Sequence, residues 1–241
     1  MSGSETAGNA KTSHLEVVPP APASNNADPS GKAGKIAAEM ERRLMLGEYH
    51  FGEPLSATQL ARQFDASRQP VFAAIAHLRS SGYVEVIPQV GCRVVSPSPV
   101  EIGDFFVALG KIEGAAASFA ARRYELAEEA ETLVAISEAN DPGELVTTAH
   151  RQGYINMLFD YHNQLWAMAR SPALAGRVAT MRRLAIFYLW QGSARLVPTS
   201  AHLLNMERAE VARAIQARDA TRAEILMEKH VAHKPYVNGI L

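Results

Sequence analysis

Residues 55–95, LSATQLARQFDASRQPVFAAIAHLRSSGYVEVIPQVGCRVV, carry two helical stripes, a short break between them and two β-prone runs behind. Ser56 is an N-cap residue, and Leu60 and Phe64 follow four apart on one helical face. Asp65-Ala66 breaks that helix. Ser67 caps a second one, and Pro70 falls in its first turn, where the missing N–H costs little. Val71, Ile75 and Leu78 then form an apolar stripe, and Gly82 suits the left-handed position that ends a helix. Tyr83-Val84-Glu85-Val86-Ile87 and Cys92-Arg93-Val94-Val95 favour β structure, and Pro88-Gln89-Val90-Gly91 between them predicts a hairpin. Upstream, Lys35–Leu46 predicts a helix with Ile36, Met40 and Leu44 on one side. The layout predicted is a winged helix-turn-helix.

In that layout the second helix enters the major groove, with its N-terminal residues facing base edges. No acidic residue occurs between Asp65 and Glu85, so Arg68, Gln69, His77 and Arg79 have no local counter-charge. An Arg can read guanine bidentately, and phosphates accept from Arg, Ser and helix N-termini. The expected contacts to double-stranded DNA are Ser56, Ser67, Arg68, Gln69, Phe72, His77, Arg79 and Gly91. A helix-turn-helix that serves only as a packing unit is the alternative. The wing and the acid-free helix favour DNA.

The 241 residues suit two small domains, and 47% hydrophobic content is enough for buried cores. A net charge of −1 means that DNA binding would rest on a local patch rather than a general positive field. The single cysteine, Cys92, excludes an internal disulfide and fits a reducing, cytoplasmic setting, where it reads as a small wing residue. No apolar run reaches membrane-spanning length. Residues 1–31 are poor in large apolar side chains and are expected to be a disordered tail. The winged domain is expected over 32–96. Ser96-Pro97-Ser98-Pro99 reads as a stiff break that opens a linker over 97–104, with an all-helical domain over 105–238.

From Phe105 onward the signals are helical: about 105–125, 126–140 (ended by Asn140-Asp141-Pro142-Gly143), 144–170, 172–191, a helix to Arg218 and, after a cap at Asp219, a last helix to about Tyr236. The fold class expected is therefore mainly α. An N-terminal winged helix-turn-helix is followed by an antiparallel helical bundle able to hold a ligand between facing helices.

The positions Gly47, Gly52, Leu55, Leu60-Ala61, Ser67-Arg68, Pro70-Val71, Ala74-Ile75, Leu78, Gly82, Gly91 and Val94 resemble the DNA-binding domain of the GntR family of bacterial transcription regulators. The helical region resembles the FadR-type (FCD) effector domain of the same family. It does so through Glu113, His162, Glu207-Arg208, Ala214-Ile215, Arg218-Asp219 and His230. Departures are specific. Phe72 and Ala73 replace an Arg and a Glu of the recognition helix, and Ala57 replaces a Glu. Phe72 can meet a thymine methyl or pack.

The resemblance implies an effector site. Many members hold a divalent metal with one Asp and three His, and of that set His162 and His230 survive here. The Asp position is Leu158, the middle His position is Arg208, and a family Arg position is Leu109. A transition metal wants three or four protein donors, and a guanidinium offers no lone pair and repels a cation. No metal and no cofactor is therefore expected. Arg208 is expected to grip a carboxylate directly, with His162 and His230 as donors beside it and Arg183 as a possible further anion contact. Asp160 stands two residues from His162 and should point elsewhere on a helix. His150, His202 and His233 read as surface or structural residues. The Arg182-Arg183 pair reads as a solvated face, and Trp166, Phe187, Tyr188 and Trp190 as core or dimer interface.

The functional expectation is a ligand-responsive transcription regulator. It would be a homodimer on a palindromic operator, and by default a repressor released by a small organic acid. Two alternatives stay open: a metal-dependent sensor of the same fold, and a helical-bundle enzyme carrying a DNA-binding domain. No phosphate-cradling glycine loop, Gly-x-Ser-x-Gly turn or His-Glu-x-x-His helix asks for the latter.

Overall fold

The computed structural model describes residues 31–87, 91–138, 145, 147–191 and 198–237. Residues 1–30 of the expected disordered tail, most of the hairpin turn at 88–90 and the 140–143 break lie outside them, while Gly31, placed in that tail by its sequence, already opens a helix. Helix α1 (Gly31–Met45) leads to a two-residue strand β1 (Pro54–Leu55), α2 (Ala57–Gln63) and α3 (Arg68–Ser80). Strands β2 (Val84–Ile87) and β3 (Gly91–Val94) complete the wing. The three strands form one antiparallel sheet in the order β1-β3-β2, with Leu55 opposite Cys92 and Glu85 opposite Arg93.

Local chemistry sets these boundaries. Ser56 accepts the Gln59 N–H and starts α2. Asp65 takes a positive φ of 43° in the turn, and Gly82 takes 84° just past α3. Ser67 is the N-cap of α3, but its hydroxyl makes no capping bond. Ile36, Met40 and Leu44 of α1 pack with Leu60, Val71, Ile75, Leu78 and Val94 into the core of this domain.

The second domain is built from α4 (Pro99–Arg123), α5 (Ala127–Glu138), α6 (Thr148–Met168), α7 (Pro172–Gln191), α8 (Pro198–Gln216), α9 (Ala220–Ala232) and the four-residue α10 (Lys234–Val237). Helix α4 starts inside the stretch expected as a linker. Pro99 occupies its first turn, and Ser98 and Glu101 form a reciprocal capping box, so the proline that reads as a break begins a helix instead. The extended connection shortens accordingly. Asp219 caps α9, as its sequence position predicts.

The two domains are bonded to each other. Gln191 at the end of α7 donates through Nε2 to the Tyr49 carbonyl at 2.5 Å and accepts the Phe51 N–H at 3.0 Å. Arg151 of α6 donates to the Leu46 carbonyl at 3.2 Å and lies 5.3 Å over the Trp190 ring. Phe187 meets Phe51 and Tyr83 edge-on at 5.4 and 5.3 Å. Phe187 and Tyr188 thus serve the border between domains.

Within the bundle, α4 and α9 approach most closely where α4 has no side chains. A Cβ on Gly110 would stand 2.9 Å from the Glu228 carbonyl, and one on Gly114 3.0 Å from that of Glu224. Both obstacles are backbone, so relief requires the helices to separate. Gly110→Ala is therefore expected to lower unfolding stability by about 1–3 kcal/mol despite alanine's better helix propensity. Chemical denaturation checks this. An unchanged or raised midpoint contradicts the close crossing.

Candidate DNA-reading face and buried effector site

Residues of α3 divide cleanly by helical rotation. Val71, Ala74, Ile75 and Leu78 are buried, whereas Arg68, Gln69, Phe72, Ala73, Ala76 and Arg79 are exposed on the opposite side. Phe72 is 55% exposed in the middle of that stripe, an unusual position for a large apolar side chain with no partner to cover it. Ser56 and Ser67 sit exposed at the starts of α2 and α3, and Gly91 is exposed at the tip of the wing with a φ of 131°. His77 departs from the expected set. One residue beyond Ala76, it is turned by roughly 100°, and it lines a groove with Glu41 and Arg183 against the second domain. In the wing, Arg93 is held by Glu85 at 2.7 Å, which blunts its charge.

The second candidate site is the polar centre of the bundle. Glu113 of α4 is fully buried and ion-pairs with Arg182 of α7, itself only 2% exposed. His162 of α6 places Nδ1 3.1 Å from the same carboxylate. Burial alone would raise the Glu113 carboxyl, but the Arg182 guanidinium and His162 overturn that and hold it well below the usual carboxylate range. His162 is pushed down to about 3, first by burial and then by Arg182, so it is a neutral imidazole. His230 of α9 is also held low, by burial and then by Lys234 and Arg208. Its Nδ1 lies 2.8 Å from Glu207, which reaches His233 at 3.1 Å with its other oxygen.

Arg208 of α8 is 1% exposed. Its Nη2 donates to the Tyr154 hydroxyl at 3.3 Å, and Tyr161 donates to its carbonyl at 3.1 Å. Its Nε and Nη1 have no acceptor among the described residues, nor do the Nε2 atoms of His162 and His230. Buried donors of this kind call for an acceptor, and a charged one costs most to leave unmet. Arg208 faces a narrow cavity of about 20 Å³ with Tyr154, Leu158, Arg182, Trp190 and Lys234. That volume is room for one water-sized group.

The structure thus brings Arg208 and Leu158 to the cavity, with His162 and His230 buried in the same electrostatic cluster. It does not bring Leu109, which packs fully buried in the apolar core. It also removes Arg183, which lies 44% exposed at the domain border, 3.6 Å from Glu41. Consecutive helical residues point about 100° apart, so it is Arg182 that turns inward. Asp160 is exposed, as its spacing from His162 implies, and His150 and His202 are exposed too. Sequence reasoning missed Arg182, Tyr154 and Lys234. For Arg182 the signal was its spacing of four from Ile186 and eight from Trp190, which puts all three on one face of α7.

The residues do not fit the family's metal. Two imidazoles sit among Arg182, Arg208 and Lys234, the one wholly buried carboxylate among the described residues is already paired with Arg182, and the Asp position is an apolar Leu158. Such a donor set repels a divalent cation and attracts an anion.

Comparison with known proteins agrees with both halves. Residues 32–94 match bacterial regulatory proteins of the gntR family, and residues 104–233 match the FCD domain. The chain is 30% identical over 129 residues to an uncharacterized HTH-type transcriptional regulator in the TAR-I ttuE-ttuC' intergenic region of Agrobacterium vitis, covering 48% of this chain and 75% of that protein. In fold it is similar to E. coli McbR/YncC, with a TM-score of 0.68 at 16% identity over 87% of this chain and 98% of that one. It is equally similar to a GntR transcriptional regulator from Rhodococcus sp. RHA1, with a TM-score of 0.68 at 14% identity over 88% of this chain and 100% of that one.

The buried centre predicts acid lability. The ordinary His pKa of His162 is 6.5 and the folded value about 3, so between these limits the unfolded chain binds the extra proton. Glu113 adds stability above the ordinary carboxylate pKa that is lost as pH falls through its lowered folded value. Both terms act in one direction, at about 1.4 kcal/mol per pH unit and group across its window. The melting temperature is expected to fall steadily from pH 7 to pH 4, and less steeply in His162→Gln. Arg182→Met alone, which strands Glu113, is expected to cost roughly 3–5 kcal/mol, with most of it regained in Glu113→Leu/Arg182→Met.

Proposed function

The chain belongs to the GntR family of bacterial regulatory proteins and carries its FCD domain, and from that premise we propose that it is a homodimeric, acid-responsive transcription regulator. The DNA-reading part is residues 32–96 and the effector and dimer part 105–238. Arg68, Gln69, Phe72 and Arg79 form the face offered to base edges and phosphates, flanked by Ser56, Ser67 and the wing tip at Gly91. Phe72 meets a thymine methyl or sugar, since an exposed aromatic on that stripe gains most by burying itself against one. Two copies related by a two-fold axis place two such helices on a palindromic operator. The effector is a small organic acid whose carboxylate satisfies the vacant Arg208 donors.

One observation carries the coupling. Helix α7 lines the cavity with Arg182, Ile186 and Trp190, and holds the DNA-reading domain with Arg183, Phe187 and Gln191. A carboxylate entering the closed cavity has to displace part of α7, and α7 is bonded to the other domain. The ligand then favours one placement of the DNA-reading heads by its differential affinity for the two states. Relief of repression is the default reading. No helix among the described residues is long and apolar enough to cross a membrane, in line with a cytoplasmic DNA-binding protein. No catalytic arrangement is invoked.

Sheared genomic DNA passed over the immobilised protein at moderate salt, then eluted and sequenced, tests the reading. Discrete peaks sharing a short palindrome are expected. Enrichment that vanishes uniformly with salt means phosphate binding alone and defeats it. On a recovered site, Arg68→Ala is expected to cost about 1–3 kcal/mol of affinity and relax sequence preference. Gln191→Ala should leave DNA affinity near normal while weakening the response to effector. A monomer by light scattering at micromolar concentration contradicts the arrangement.

A further inference from the structure

Three helices line the cavity beside Arg208 in the same way, each with a polar and an apolar residue one turn apart. Helix α6 supplies Tyr154 and Leu158, α7 supplies Arg182 and Ile186, and α8 supplies Leu204 and Arg208. A step of four residues is about 6 Å along a helix axis. Leu158, Ile186 and Leu204 are buried, and Trp190 of α7 adds a further buried apolar wall. The polar members are engaged already. Arg182 is ion-paired with Glu113, the Tyr154 hydroxyl accepts from Arg208 Nη2, and Lys234 is not without a partner. Among these side chains it is Arg208 that keeps Nε and Nη1 without an acceptor. The site therefore asks for one anionic head and offers mainly hydrocarbon to the rest of its ligand.

We propose that the effector is a short apolar monocarboxylate, with its head on Arg208 and its alkyl tail against Leu158, Ile186 and Leu204. This rests on the reading of the cavity as the effector site and narrows the ligand from organic acids at large to one class. A hydroxyl or a second carboxylate on the tail has to leave water for a wall that gives it no partner, and an unpaired charge loses most. An alkyl tail leaves water favourably. The class also suits the way in. The closed cavity, about 20 Å³, has no room for a tail, so apolar side chains have to part as the ligand enters. An alkyl chain replaces the contacts they lose, whereas a polar chain leaves them against oxygen. Leu158 and Leu204 are then the residues that set specificity, and Arg208 the one that sets affinity for the head.

The test is isothermal calorimetry of the full chain at pH 7 with matched five-carbon probes: valerate, both enantiomers of 2-hydroxyvalerate, glutarate and valeramide. Valerate is expected to bind roughly tenfold to hundredfold more tightly than 2-hydroxyvalerate or glutarate. Valeramide, which lacks the charge, is expected to bind at least tenfold more weakly than valerate. Arg208→Met is expected to abolish valerate binding, and Leu158→Asn to reduce the preference for valerate over 2-hydroxyvalerate. The ranking of the probes is read on wild-type protein and stands whether or not a variant folds well. If 2-hydroxyvalerate or glutarate binds wild type as tightly as valerate while valeramide binds far more weakly, the apolar class is wrong and the Arg208 reading stands. If valeramide matches valerate, or none of the probes binds, both are overturned.

Discussion

The contact between Glu113, Arg182 and His162 is the constraint around which the bundle is arranged. It joins α4, α7 and α6 at a point where no water reaches, and each partner is tolerable there only because of the others. A lone buried carboxylate or guanidinium is far more costly than either member of a well-placed pair. The pair neutralises itself, and on the cavity side Arg208 keeps its Nε and Nη1 without an acceptor among the described residues. The polar centre is therefore complete as scaffold and incomplete as electrostatics. An interior with that imbalance selects for anions before any detail of shape is considered.

In the proposed mechanism, helix α7 transmits the state of that centre. Its second half is sheltered on two sides, by the cavity and by the DNA-reading domain, whereas Pro172, Ala173, Gly176, Arg177 and Thr180 of its first half are exposed. Packed interiors rearrange between discrete fits rather than yielding gradually. In the proposed coupling, a change at Arg182, Ile186 or Trp190 is felt at Phe187 and Gln191, which follow within the same stretch of helix. How far such a balance moves depends only on how much better a ligand fits one arrangement than the other.

Much of this was legible in the chain, for identifiable reasons. The helix-turn-helix could be read because its caps are local: Ser56, the Asp65 turn and Gly82 announce themselves within a few residues. Asp219 did the same for α9. The stripe of α3 could be read because one side faces water. Helix α7 offered no such contrast, since a helix covered on two sides carries apolar residues all round and hides its orientation. That is why the Arg182-Arg183 pair read as a solvated face and Arg183, rather than Arg182, as the anion contact. Strand β1 is too short to show alternation, and Pro99 admits two meanings that only the Ser98–Glu101 capping box decides. Lys234 was unreadable for another reason: its burial depends on the chain turning inward after His233, and no periodic pattern encodes that turn.

The bonds across the domain border also order events in time. Those made by Arg151 and Gln191 reach partners 105, 140 and 142 residues earlier in the chain. A ribosome therefore completes the sequence of the DNA-reading head long before the helices that hold it exist. During that interval the head's own sequence is complete while the bundle that would restrain it is not. Restraint arrives only when α7 has been made and docks, so regulation is the last property this protein acquires as it is synthesised.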